Sequence, residues 1–226
     1  EYIHSDRLTL RGGKMFVPGY ARVHQWPNLR LGTRNPLMYD QVFPETFVGV
    51  KAYGTKYWDK FGVTYEGYIA NGVSEFEAKE DTNENKAVGG LLSFHLPTHG
   101  LLDTFDVGVS GYMESPPDAK RTQTWGLESQ IRKGPWEVLT EFAMRAAEED
   151  RTGFYLQPSY RFNERWTTFY RYDILNINGE GEKQEHTIGL NYRPITDISL
   201  KLEYFYSRQP QDESFNGVAA SVAVRF

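Results

Sequence analysis

The sequence predicts an all-β fold, an antiparallel up-and-down transmembrane β-barrel with about twelve strands in this chain. Three observations predict it. Segments of period-two hydrophobicity, most of them about ten residues long, recur along nearly the whole chain. Their connections alternate between short and long. The last segment carries one wholly apolar face and ends on an aromatic, Phe226.

The strands are expected near 8–17, 45–55, 59–70, 86–96, 102–113, 121–132, 136–146, 152–162, 166–175, 185–193, 197–207 and 215–226. In a strand, successive side chains point to opposite faces. Ile198, Leu200, Leu202, Tyr204 and Tyr206 therefore share one face, and Ser199, Lys201, Glu203 and Ser207 the other. Trp136, Val138, Thr140, Phe142 and Met144 oppose Glu137, Glu141 and Arg145. Phe154, Leu156, Pro158, Tyr160 and Phe162 oppose Gln157, Ser159 and Arg161. A soluble sandwich shows the same alternation, so periodicity alone leaves that alternative open.

Connection length favours the barrel. Short turns are expected at 55–60, 97–100, 133–135, 163–165 and 194–197, and longer loops at 18–44, 71–85, 114–120, 147–151, 176–184 and 208–214. Transmembrane barrels pair short periplasmic turns with longer external loops. Trp58, Trp136, Trp166, Tyr192 and Phe226 all sit beside short turns, where amphipathic rings favour a membrane interface.

Composition sets outer bounds. The chain has 226 residues and no cysteine, which excludes disulfides and thiolate metal sites. A net charge of −5 argues against a nucleic-acid partner. No apolar run is long enough for a transmembrane helix. The sequence opens on Glu1 without a signal peptide, as expected of a mature or trimmed form. Glu1–His4 followed by Ser5-Asp6-Arg7 reads as the remnant of an upstream strand and its turn. Either these residues extend a 12-stranded barrel at its N-terminus, or an upstream hairpin or more is lost and parity favours a parent of roughly 14 or 16 strands.

Two resemblances add to this. Val218, Ala220, Val222, Val224 and Phe226 oppose Ala219, Ser221, Ala223 and Arg225. A strand of that form ending on Phe resembles the C-terminal strand of bacterial outer-membrane barrels. The resemblance implies that Phe226 is part of the signal read by the barrel-assembly machinery. The segment Leu8-Thr9-Leu10-Arg11-Gly12-Gly13-Lys14-Met15-Phe16-Val17-Pro18-Gly19 resembles the phosphate-selective porin family, in which such a strand precedes a long loop. Pro36-Leu37, Pro44–Val50 and Tyr65–Gly72 follow that family's order, so the match covers roughly residues 1–72. The chain departs from it where Gly19, rather than Phe, follows Pro18. The resemblance implies an outer-membrane pore in contact with outer-membrane lipid. It does not place phosphate-binding residues. Trimers are common among such porins, so a homo-oligomer is compatible with it, although no patch in the sequence marks one.

On a barrel reading the polar parity lines the lumen. The first strand and the last five contribute Arg11, Arg161, Arg171, Arg193, Lys201 and Arg225 against Asp173 and Glu203. They become neighbours if the last strand pairs with the first. The other strands contribute Glu66, Asp106, Glu128, Glu137 and Glu141 against Lys51, Arg132 and Arg145. A basic wall facing an acidic one would set up a transverse field that selects solutes by charge. Equally, facing charges would pair and stiffen the lumen. Inward Tyr112, Tyr155 and Phe169 would fill part of it.

The 18–44 loop is long enough to suggest a role. It carries Arg22, His24, Arg30 and Arg34 and is stiffened by Pro27, Pro36 and Pro44. It is expected to fold inward as a constriction, the alternative being an external loop packed on its neighbours.

Other chemistry is weakly signalled. The acidic run 74–85 lacks calcium-loop spacing and reads as a solvated loop. His95 and His99 straddle a strand end, so no metal site is expected. No Gly-x-Ser-x-Gly element is present. His186 with Ser207 on the next strand is the nearest approach to a catalytic pair. No catalytic residue and no cofactor is implied. The expected function is passive diffusion of small hydrophilic solutes or ions, with a non-conducting scaffold barrel as the alternative and an outer-membrane hydrolase a distant third.

Overall fold

The computed structural model describes residues 1–5, 7–17, 30–39, 41–71, 86–115 and 121–225. They form one antiparallel sheet in strict chain order. Its strands are β1 (Tyr2–Ser5), β2 (Leu8–Phe16), β3 (Thr46–Trp58), β4 (Phe61–Ala70), β5 (Ala87–His95), β6 (Thr104–Glu114), β7 (Thr122–Lys133), β8 (Trp136–Ala146), β9 (Arg151–Arg161), β10 (Trp166–Ile177), β11 (Gly181–Ile195), β12 (Ile198–Arg208) and β13 (Ser214–Val224). Tyr2–Ser5, expected only as a strand end, pairs with β2 through Tyr2↔Leu10 and Ile3↔Thr9.

Local chemistry fixes the short turns. At Gly134 φ is 55°, a left-handed conformation that glycine adopts without steric cost, and this turns the chain between β7 and β8. The Asn163 side chain accepts the backbone N–H groups of Arg165 and Trp166 at 2.9 and 3.0 Å, closing an Asx turn into β10.

The two faces of the sheet are buried in the opposite sense to a water-soluble protein. Along β12 the apolar Leu200, Leu202 and Tyr204 are exposed, while Ser199, Lys201 and Glu203 are buried. Val218 is 70 % exposed and Ile188 57 %, whereas Arg171, Asp173, Glu185 and Asn191 are each at most 1 % exposed. An exposed apolar face several strands wide is stable only against hydrocarbon. The apolar outer face thus has the character of a lipid-facing surface, and the polar face is the inner one.

Aromatic rings gather on the outer face at the short-turn end. Trp166 stacks on Tyr192 at 4.2 Å, Trp136 meets Tyr160 at 4.7 Å, and Trp58, Phe61 and Phe94 form a row. This is where amphipathic rings belong at an interface.

Three expectations need correction. The alternation of connection length is not strict: 96–103 is long at the short-turn end, and β8–β9 and β10–β11 are joined only by 147–150 and 178–180. The second of these, expected at 176–184, shortens because β10 and β11 continue pairing to Ile177↔Gly181, beyond the apolar pattern. The sheet also does not close among the described residues, since β13 pairs with β12 alone and β1 with β2 alone. Both edge strands run in the same direction, so direct pairing between them would be parallel. Arg11 consequently lies beside Lys51 of β3, not beside the last strands.

The burial pattern makes a prediction. Leu202 is half exposed near the middle of β12. Leu202→Lys should lower folding stability in lipid vesicles by about 2–4 kcal/mol, measured by denaturant titration. On a water-facing surface the same change would be neutral.

Candidate functional site

The inner faces of β10, β11 and β12 carry a compact polar set. β10 supplies Arg171 and Asp173, β11 supplies Glu185 and Asn191, and β12 supplies Lys201 and Glu203. Register brings them level: Asp173 pairs with Glu185, Glu185 with Ser207, and Gly189 with both Phe169 and Glu203. Arg171 donates from Nε to Asp173 at 2.7 Å. A charge this deeply buried is tolerable only when paired and fully hydrogen-bonded.

Many of the further hydrogen bonds of this set go to one chain segment, residues 31–37, laid across the inner face. Thr33 and Arg34 donate their backbone N–H groups to the two oxygens of Glu203 at 2.8 and 2.9 Å. Leu37 donates its own to Asp173 at 3.2 Å. The carbonyls of Arg34 and Asn35 accept from Arg171 at 3.1 and 3.2 Å. Those of Leu31 and Gly32 accept from Asn191 and Lys201 at 3.0 and 3.1 Å. The segment's side chains add an Arg34–Glu185 ion pair at 2.9 Å, Arg34 over the Phe205 ring at 3.7 Å, and a Thr33–Ser221 hydroxyl contact at 3.0 Å.

Beyond Pro36 the character changes. Met38, Tyr39, Val42 and Phe43 bury themselves on the inner face against Tyr68, Ala70, Ala87, Tyr112, Ala143, Tyr155, Leu175 and Ile177. The Tyr39 and Tyr155 hydroxyls both donate to Glu141, at 3.3 and 2.5 Å. Gly153 leaves room for Met38, because a Cβ there would lie 2.4 Å from the Met38 Cβ.

Between the segment and the sheet lies a small pocket lined by Arg30, Arg34, Asn35, Tyr39, Tyr155 and Arg171, among others. Arg30 is half-buried, and its guanidinium binds the Asn35 side chain. Burial pulls its pKa below the ordinary arginine value; Glu203 opposes that shift and Arg171 reinforces it. Its Nε has no hydrogen-bond partner among the described residues.

The other inward charges are spread over the sheet. Lys51 binds Glu66 at 3.0 Å, Asp106 binds His95 at 2.8 Å, and Arg132 pairs with Glu137. Glu128 and Glu141 oppose each other across β7 and β8. Arg145 is half-buried, with its Nε unpartnered among the described residues. Arg193 reaches Asn191 at 3.4 Å, Arg225 binds Asp197 at 2.8 Å at the short-turn end, and Arg161 is exposed at the same end. Arg22, His24, Phe226 and the acidic run 74–85 lie outside the described residues.

Sequence reasoning missed Glu185, which adds a third carboxylate to the wall read as basic. It shares parity with Arg193, but the strand was expected to begin there, whereas β11 begins at Gly181. It also missed a line of hydrogen bonds across four strands: Thr55 to Thr64 at 2.9 Å, Thr64 to His95 Nε2 at 3.0 Å, and His95 Nδ1 to Asp106. The line has the order of a hydroxyl–imidazole–carboxylate relay. It lies in a wall shared with Glu128 and Glu137, a poor setting for a developing oxyanion. His186 and Ser207 do not form a pair. Their residues fall on opposite faces, and the His186 ring bonds to the Tyr170 hydroxyl at 2.7 Å.

No protein-family model matches the chain, and no curated protein matches it in sequence. Solved structures do. The anion-selective porin from Comamonas acidovorans superposes with a TM-score of 0.71 at 11% identity, over 96% of this chain and 74% of that one. Outer-membrane OmpT of Vibrio cholerae gives 0.61 at 11% identity, over 98% and 78%. The outer-membrane channel DcaP of Acinetobacter baumannii gives 0.59 at 10% identity, over 96% and 71%. At such identities the likeness is one of fold. The chain has the up-and-down antiparallel architecture of porin barrels.

The close approach at Gly153 can be tested. Gly153→Ala should destabilise the folded protein by about 1–3 kcal/mol in denaturant titration, because Met38 must move. Gly67→Ala, where an added Cβ meets nothing within 4 Å, should leave stability unchanged or slightly raised.

Proposed function

We propose that the protein is a bacterial outer-membrane pore for passive diffusion of small hydrophilic solutes, with segment 30–39 as its constriction. The observation that carries this reading is the inverted burial: an apolar outer face, a polar inner face, and a chain segment laid across the inside. The solute gradient supplies the driving force, and the protein supplies a wet, charged passage. Arg30 and Arg193 both lie within electrostatic range of Lys201, while both oxygens of Glu203 are occupied by backbone N–H groups. That balance favours anions beside the segment. The shared fold of an anion-selective porin is consistent with it. Contact with lipid, recognition of Phe226 by the assembly machinery and any homo-oligomer belong to the same proposal. The phosphate-selective family remains a resemblance of residues 1–72.

The apolar cluster around Met38, Val42 and Phe43 favours a second reading. A filled inner face suits a non-conducting barrel that scaffolds partner proteins.

Single-channel recording in a planar bilayer under a salt gradient separates the two. A pore gives stable steps and a reversal potential of anionic sign. Arg30→Gln with Arg193→Gln should shift that potential toward cations. Unchanged potentials would contradict the charge reading, and silence from folded protein would favour the scaffold.

A further inference from the structure

We infer that Glu203 is the positioning residue of the constriction, and that it holds segment 31–37 by its main chain. The inference deepens the pore reading and rests on it only for its electrical readout.

The bonding pattern carries it. Of the contacts between the segment and β10–β12, those from Glu203, Asp173, Arg171, Asn191 and Lys201 all end on backbone N–H or C=O groups. The sheet treats the segment as an extended peptide, giving acceptors to its amides and donors to its carbonyls. Within this set Glu203 alone takes two consecutive amides, one on each oxygen. It is 2 % exposed, so without those amides its buried oxygens would lose their donors from the segment. Gly32 lets the chain come this close, since a Cβ there would lie 2.8 Å from Glu203 Oε2 and 3.0 Å from the Phe169 ring. The grip fixes where Arg30 and Arg34 stand, because Arg34 carries one of the two held amides and Arg30 precedes the other by only a few residues in sequence.

The consequence runs against simple electrostatics. Removing a negative charge from a pore wall ordinarily increases anion preference. Glu203→Gln removes such a charge but also releases the segment that carries Arg30 and Arg34. Anion preference should therefore fall and conductance should rise. Glu66→Gln, which removes the same charge beside Lys51, should shift selectivity in the ordinary direction, toward anions.

A crosslink tests the grip without reference to transport. Thr33 Oγ1 and Ser221 Oγ are 3.0 Å apart, and the chain has no native cysteine. Thr33→Cys with Ser221→Cys should oxidise readily to a disulfide in folded protein. Adding Glu203→Gln should slow that reaction about tenfold or more, as expected when two charge-assisted hydrogen bonds are weakened. If Glu203→Gln does not fold, Glu203→Asp serves, because it keeps the charge but draws the carboxylate back from both amides. An unchanged crosslinking rate in a folded Glu203 variant overturns the inference. A slowed crosslink with no channel activity in any variant upholds the grip and counts against the pore.

Discussion

A continuous antiparallel ladder presents one exposed apolar face, which suits hydrocarbon, and the rest of the structure depends on that constraint. No water is available there to bond a stray amide, so the backbone must satisfy itself strand to strand. The ladder accordingly runs in unbroken chain order from β1 to β13. Period-two alternation then sends every second residue inward, and the buried charged residues are among these. The polar inner face is thus a consequence of the outer one.

That inner face has its own requirement. Arg171, Asp173, Glu185, Lys201 and Glu203 are nearly inaccessible, and neighbouring strands satisfy only part of their bonding capacity. The backbone of 31–37 supplies much of the remainder. Burial of charge and placement of the segment are therefore one arrangement: the side chains need donors and acceptors, and the segment's main chain needs the same. The side chains of Met38, Tyr39, Val42 and Phe43 anchor its far end by ordinary packing on Tyr68, Tyr155 and Leu175. A polar grip at one end and an apolar anchor at the other hold the crossing across the inside of the sheet.

Much of this was legible in the sequence because the strand period is short and strict. The alternation at 197–207 assigned Leu200 and Leu202 outward and Lys201 and Glu203 inward, as the burial of β12 has it. Strand ends were less legible, because polar residues continue the pairing beyond the apolar pattern. That is why Glu185 was missed, and why the loop at 176–184 contracts to 178–180. Cross-strand partners depend on register, which turn geometry fixes and composition does not. His95 and Asp106 were each visible, but their pairing was not. The backbone grip on 31–37 leaves no side-chain signature at all, so sequence patterning could point to an inward loop but not to how it is held.

The most direct test of the face assignment is a cysteine scan along β12 in lipid vesicles, made clean by the absence of native cysteine. Spin labels at positions 200, 202 and 204 should be relaxed by lipid-dissolved oxygen. Labels at 199, 201 and 203 should be shielded from it and should respond, where accessible, to a water-soluble paramagnet. Alternation in the opposite phase would place the apolar face inside and contradict the account.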